Sequence, residues 1–145
     1  MKKPSALASL KQYGNVSVQT EVESASPHRL IQMLMEGALS RIAAAKGHLA
    51  RGEIAPKGER ISWAISIIEG LRTSLDHEAG GEIAANLDRL YEYMGARLVE
   101  ANLRNDPAIL DEVSALLLNV KEGWDAIPEP LRQPPERGAR VASRG

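Results

Sequence analysis

The chain contains no cysteine. Disulfides, cysteine-zinc sites and thiol nucleophiles are therefore excluded together, and the composition fits a reducing compartment. Phenylalanine is also missing, and aromatics make up only 3% of the residues. Any core must be aliphatic, built from Leu, Ile, Val, Ala and Met. Neither sign of charge dominates: the formal net charge is -1. That balance gives no general attraction to nucleic acid or to an anionic membrane. No apolar run approaches the ~20 residues of a membrane span. Met1-Lys2-Lys3 resembles the start of a signal peptide, but Pro4, Ser5, Ser9, Lys11 and Gln12 interrupt the apolar stretch that should follow. No secretion signal is expected.

What is present is 145 residues, 43% hydrophobic and 26% charged, the profile of one globular domain. Residues 1–25 lack helical punctuation and read as an N-terminal arm. Ser26-Pro27 is a helix start: serine can cap an orphan backbone N–H, and proline at the first helical position loses no needed donor. Leu30, Ile31, Leu34, Ala38, Ile42, Ala45 and Leu49 then recur at helical spacing. The first helix is expected over about 27–51, ended by Gly52, with Pro56 and Gly58 in the link.

Ile61, Ile65, Ile68, Leu71 and Leu75 mark a second helix over about 59–79, with Gly80-Gly81 as its exit. Ile83, Leu87, Leu90, Tyr91, Met94, Leu98 and Ala101 mark a third over about 82–105, with Glu82 in its first turn. Glu100 and Arg104 can pair on its wet side. Asp106-Pro107 repeats the cap-and-proline start. Leu110, Val113, Leu117, Val120, Trp124 and Ile127 follow over about 107–127, where Pro128 and Pro130 stop the helix. Residues 128–145 hold four prolines and four arginines with little to bury. They read as a disordered tail. The fold class is therefore all-α: an antiparallel up-down-up-down four-helix bundle, residues 26–127, between an arm and a tail.

The sequence carries no motif of catalytic chemistry. Di-iron bundles need Glu-x-x-His on two helices, and none occurs. His28, His48 and His77 have no metal-ligand spacing and are expected as surface or capping residues. No nucleophile elbow surrounds a serine, and no phosphate-binding glycine loop appears. The expectation is a binding protein, not an enzyme, with no metal or other cofactor.

The apolar arcs give a direction. On the third and fourth helices they span roughly 120°, about what a bundle core consumes. On the first helix Met35 and Leu39 widen the arc to roughly 180°, and on the second Trp63 and Ile67 widen it to roughly 200°. That surplus can be absorbed by a splayed bundle, an overlying arm or a weak homodimer, or it can form a groove for a partner helix.

Particular runs carry more than periodicity. They are Tyr-Gly-Asn-Val-Ser-Val from Tyr13, Ser-Pro-His-Arg-Leu-Ile-Gln-Met-Leu-Met-Glu-Gly-Ala-Leu from Ser26, and Ser-Leu-Asp-His-Glu-Ala-Gly-Gly-Glu-Ile-Ala-Ala-Asn-Leu from Ser74. Leu-Tyr-Glu-Tyr-Met from Leu90, Ala101-Asn102, Asp106 and Trp124 follow in order. Together these residues resemble the flagellar secretion chaperone FliS family over about 10–127. The resemblance implies a cytoplasmic helical bundle that binds the C-terminal segment of flagellin. It implies that the chaperone prevents premature polymerisation and delivers the subunit to the flagellar type III export apparatus, using no cofactor. An alternative is a regulatory adaptor, with an export-gate component, co-chaperone or flagellar regulator as partner.

The resemblance also suggests an arm that yields to client, with Tyr13 and Val16 as anchors. The partner surface is expected at Leu30, Ile31, Leu34, Met35, Leu39, Ile42, Trp63, Ile67, Leu71 and Tyr91. Met35 stands where many family members carry an aromatic. Trp63 and Tyr91 are the candidate hot spots, whereas Trp124 is expected in the core beside Val120 and Ile127. Neither nucleic acid nor membrane is expected as a partner.

Overall fold

The computed structural model describes residues 24–132. Four helices follow one another: α1 (Pro27–Ala50), α2 (Ile54–Thr73), α3 (His77–Arg104) and α4 (Pro107–Asp125), with a closing 3-10 turn at Glu129–Leu131. Short links make neighbours antiparallel. α1 packs on α2, α2 on α3, α3 on α4, and α4 returns to α1. The result is an all-α four-helix bundle. The first turns of α1 and α3 share one end with the last turns of α2 and α4.

Two starts follow their sequence signals. Ser26 Oγ accepts from Arg29 N at 3.1 Å with Pro27 in the first turn. Asp106 accepts from Ala108 N at 2.9 Å with Pro107 beside it. Gly52 leaves α1 at φ 73°.

α2 departs from expectation at both ends. It begins at Ile54, so Pro56 and Gly58 lie inside its first turns instead of in a link. Proline is tolerated there because the first turn's N–H groups have no intrahelical partner to lose. α2 stops at Thr73, well before Gly80-Gly81. The chain then turns at Ser74, whose Oγ donates to Leu71 O at 2.7 Å. Asp76 caps α3 by accepting from Ala79 N at 3.0 Å. Gly80-Gly81 thus falls within α3, not at the exit of α2. Gly81 adopts φ 50°, ψ -125°, breaking the helix one turn after it starts. Glu82, expected in the first turn, follows that break.

The core is aliphatic, as the absence of phenylalanine requires. Leu34, Met35, Ile42, Ile61, Ile67, Ile68, Leu71, Met94, Leu98, Leu110, Val113 and Leu117 are essentially fully buried. Tyr91 is the one aromatic in the buried set among the described residues. Burying each such aliphatic side chain contributes roughly 1.5–3 kcal/mol before chain entropy is counted. Leu30, Ile31, Leu39, Val120 and Trp124 pack partly buried around this core.

The start of the expected tail is folded. Leu131 N donates to Pro128 O at 2.9 Å. The Arg132 guanidinium donates to Ile127 O at 2.8 Å and to Asp125 O at 3.3 Å. The arginine thus satisfies carbonyls left open at the end of α4. Tyr13, Val16 and the rest of the arm to residue 23 lie outside the described residues, as do residues 133–145.

Candidate functional site

The surplus apolar surface does not sit where the arcs place it. Met35 and Ile67, which widen the arcs of α1 and α2, are 1% and 0% exposed. The two helices are packed closely enough against each other and their neighbours to consume nearly the whole of both arcs. Exposed large apolar side chains lie instead mainly on α3 and α4: Ile83, Tyr93, Val99, Leu103 and Leu118, with Leu131 beyond.

Polar ties flank a gap at one end. The start of α3 leans on α2, where Arg72 donates to Asp88 at 2.8 Å and to Glu92 at 2.7 Å. The end of α4 leans on α1. Gln32 Nε2 donates to Asp125 Oδ1 at 2.7 Å, and Trp124 Nε1 donates to His28 O at 3.0 Å. Among the described residues, α3 and α4 are tied side chain to side chain only lower down. There Tyr93 Oη and Arg97 Nε both donate to Glu112, each at 2.7 Å. These bonds hold Glu112 below the usual carboxylate range, and the Arg72 contact does the same for Asp88. The start of α3 is thus tied to α2 and the end of α4 to α1, and the space between them is open.

That space is a groove of about 1000 Å³. Its floor is Ile31 and Met35 from α1 and Leu71 from α2. One wall is Ala79, Gly80, Ile83, Ala84, Leu87 and Tyr91 of α3; the other is Val120, Gly123 and Trp124 of α4, continued by Ile127 and Leu131. Polar side chains are few, and two of them are engaged within the bundle: Ser74 bonds to Leu71, and Asp76 caps α3. Such a surface recognises by apolar burial and shape, with little hydrogen bonding to offer. Ile83 and Leu131, each 72% exposed, form its rim. Burial pushes the Tyr91 phenol up to about 12.

Of the expected partner-binding residues, Ile31, Met35, Leu71 and Tyr91 line the groove. Leu34, Ile42 and Ile67 are enclosed in the core, and Leu30 and Leu39 pack half-buried against it. Trp63 lies elsewhere, over a shallow depression of about 620 Å³ with Gly58, Glu59, Ser62, Ser66 and Asn102. Trp124, expected in the core, is half-buried and forms groove wall. His28 corrects its expectation outright: it is 3% exposed and stacks on Trp124. Sequence reasoning also missed Ile83, Leu87 and Gly123. Ile83 and Leu87 were assigned to the core stripe of α3, and no periodicity signals that α3 and α4 part above Glu112.

Among the described residues no group of three His, Asp or Glu side chains gathers as a metal site, and no helix is long and apolar enough to cross a membrane.

The family model described as Flagellar protein FliS matches residues 9–130. The chain belongs to the FliS family. The flagellar secretion chaperone FliSB of Pseudomonas aeruginosa is 61% identical over 122 residues, covering 84% of this chain and 97% of that protein. The flagellar secretion chaperone FliS of Salmonella typhimurium is 51% identical over 119 residues, covering 81% and 88%. The FliS of Bacillus subtilis is 32% identical over 106 residues, covering 73% and 78%. The FliS match takes in all four helices and both walls of the groove up to Ile127.

Proposed function

We propose that this chain is a cytoplasmic flagellar secretion chaperone. It holds the C-terminal segment of flagellin, keeps it from polymerising early and delivers it to the flagellar type III export apparatus. The groove between α3 and α4 carries the reading. A filament subunit's terminal segment buries its apolar face only after assembly. Until then it needs a substitute surface. An open apolar groove provides one, and the client's loss of conformational freedom on binding keeps release within reach. The names of the FliS relatives supply the export context.

A calorimetric titration of this protein with the C-terminal segment of flagellin tests the proposal. One-to-one binding with a negative heat-capacity change is the expected result. A folded protein and soluble peptide that give no heat and no spectral change would refute it.

A further inference from the structure

His28 and Trp124 form a joint between α1 and the groove. The imidazole lies flat on the indole, with ring centroids 4.8 Å apart and planes within 8°. Trp124 Nε1 donates to the His28 carbonyl at 3.0 Å, and Trp124 is groove wall. Yet among the described residues neither imidazole nitrogen has a hydrogen-bond partner, although the residue is 3% exposed. For packing alone this is a poor choice of side chain, since an apolar ring would fill the space with no polar atom to desolvate. What histidine adds is a site for a proton.

We propose that His28 is a positioning residue of the groove, and that protonating it unseats Trp124 and weakens client binding. The inference rests on the reading that the groove holds the client.

The groups around the ring favour its neutral form. Burial acts first and the Arg132 guanidinium second, both holding the His28 pKa below its ordinary 6.5; Asp125 opposes them. Asp125 is already engaged by Lys121 at 2.6 Å and Gln32 at 2.7 Å. Arg132 is fixed to the carbonyls of Ile127 and Asp125. On α1 itself, Arg29 is paired with Glu36 at 3.1 Å. A carboxylate oxygen can accept more than one hydrogen bond, so Asp125 is the acceptor an imidazolium here would turn to. The ring must rotate toward Asp125 or toward water, and rotation ends the flat stack. Trp124 then loses the support of one face. A client that needs Trp124 seated binds the neutral form better. Its affinity is full above the His28 pKa and falls as pH drops through it.

The test uses the full chain and the flagellin C-terminal segment, titrated calorimetrically at about pH 7.5 and about pH 5.5, beside H28F. Phenylalanine keeps a flat ring and carries no proton. The native protein should lose affinity at the lower pH, by less than roughly tenfold because the His28 pKa lies below 6.5. H28F should lose none of it, and an equal loss in both proteins would overturn the proposal. NMR of the free protein supplies a readout that needs no client: the His28 ring protons and the Trp124 indole N–H should titrate together, with one midpoint below 6.5. A Trp124 signal that stays fixed while His28 titrates overturns the proposal as well. Absence of client binding at both pH values would instead strike the chaperone reading, and the NMR titration would still decide the joint.

Discussion

Lys57, near the start of α2, reaches across to the end of α3. Its Nζ donates to Asn102 O at 2.9 Å and to Asn105 Oδ1 at 2.6 Å. Lys57 is 3% exposed, and Asn105 sits in the left-handed conformation, φ 52° and ψ 46°, that turns the chain into α4. A buried ammonium here organises the link at the end opposite the groove. Lys57→Met keeps the aliphatic stem but strands two acceptors. Stability should fall by about 2–3 kcal/mol, read as a lower urea midpoint. Client affinity for the folded protein should hardly change.

Gly123 separates stability from binding in the other direction. A Cβ built there meets nothing within 4 Å, because it projects into open space beside the groove. Gly123→Leu removes a helix-weakening glycine, a gain of up to about 1 kcal/mol. It also fills space that the client should occupy. The expected outcome is a slightly higher melting temperature with at least a roughly tenfold weaker client. Unchanged affinity would place the client elsewhere.

The two tryptophans should part company. Trp124 lines the groove, whereas Trp63 overlies the separate depression beside Asn102. Trp124→Ala is expected to cost client binding on the order of 2 kcal/mol, in the range of an interface hot spot. Trp63→Ala should leave affinity within about twofold, a change below 0.5 kcal/mol. Calorimetric titration of both variants makes the comparison.

Gly81 sets the first turn of α3 at an angle to the rest, using φ 50° and ψ -125°. No L side chain adopts that pair without strain of about 1–3 kcal/mol. Gly81→Ala should therefore lower stability by that order. Any relief comes from straightening the turn that carries Ala79 and Gly80, which form groove wall. Thermal unfolding reads the first effect and client titration the second.

Tyr91 gives the protein an alkaline limit. Its phenol is raised from 10.0 to about 12 by burial, so the fold favours the neutral form. The stabilisation is complete below the unfolded pKa of about 10 and is lost as pH climbs through the folded value. Two units correspond to at most about 3 kcal/mol. Urea titrations between about pH 9 and pH 12 should show this loss in the native protein. Tyr91→Phe should flatten that part of the curve.

Much of the bundle was legible because its signals are local. Ser26-Pro27, Asp106-Pro107 and the Glu100–Arg104 pair, found at 3.0 Å, act within one turn of chain. Pro56 and Gly80-Gly81 misled because the same residues serve different helix positions, and only tertiary packing decides which. The groove was harder to read. Wide arcs on α1 and α2 marked two helices buried on several sides. The opening lies between an α3 tied to α2 through Arg72 and an α4 tied to α1 through Gln32 and Trp124. Those partners lie 16 to 96 residues apart, beyond any periodicity. His28 was misjudged for the same reason: its neighbour in space is 96 positions away.

The groove takes its floor from α1 and α2 and its rim from Ile83 and Leu131. On a ribosome, α4 with its wall is the last of the four helices to be made, and the Leu131 rim follows it. The groove is therefore complete only once α4 and Leu131 have been made. A product broken off within α4 would carry most of the core and yet lack one wall of the groove. On the proposed function, such incomplete copies would not sequester client.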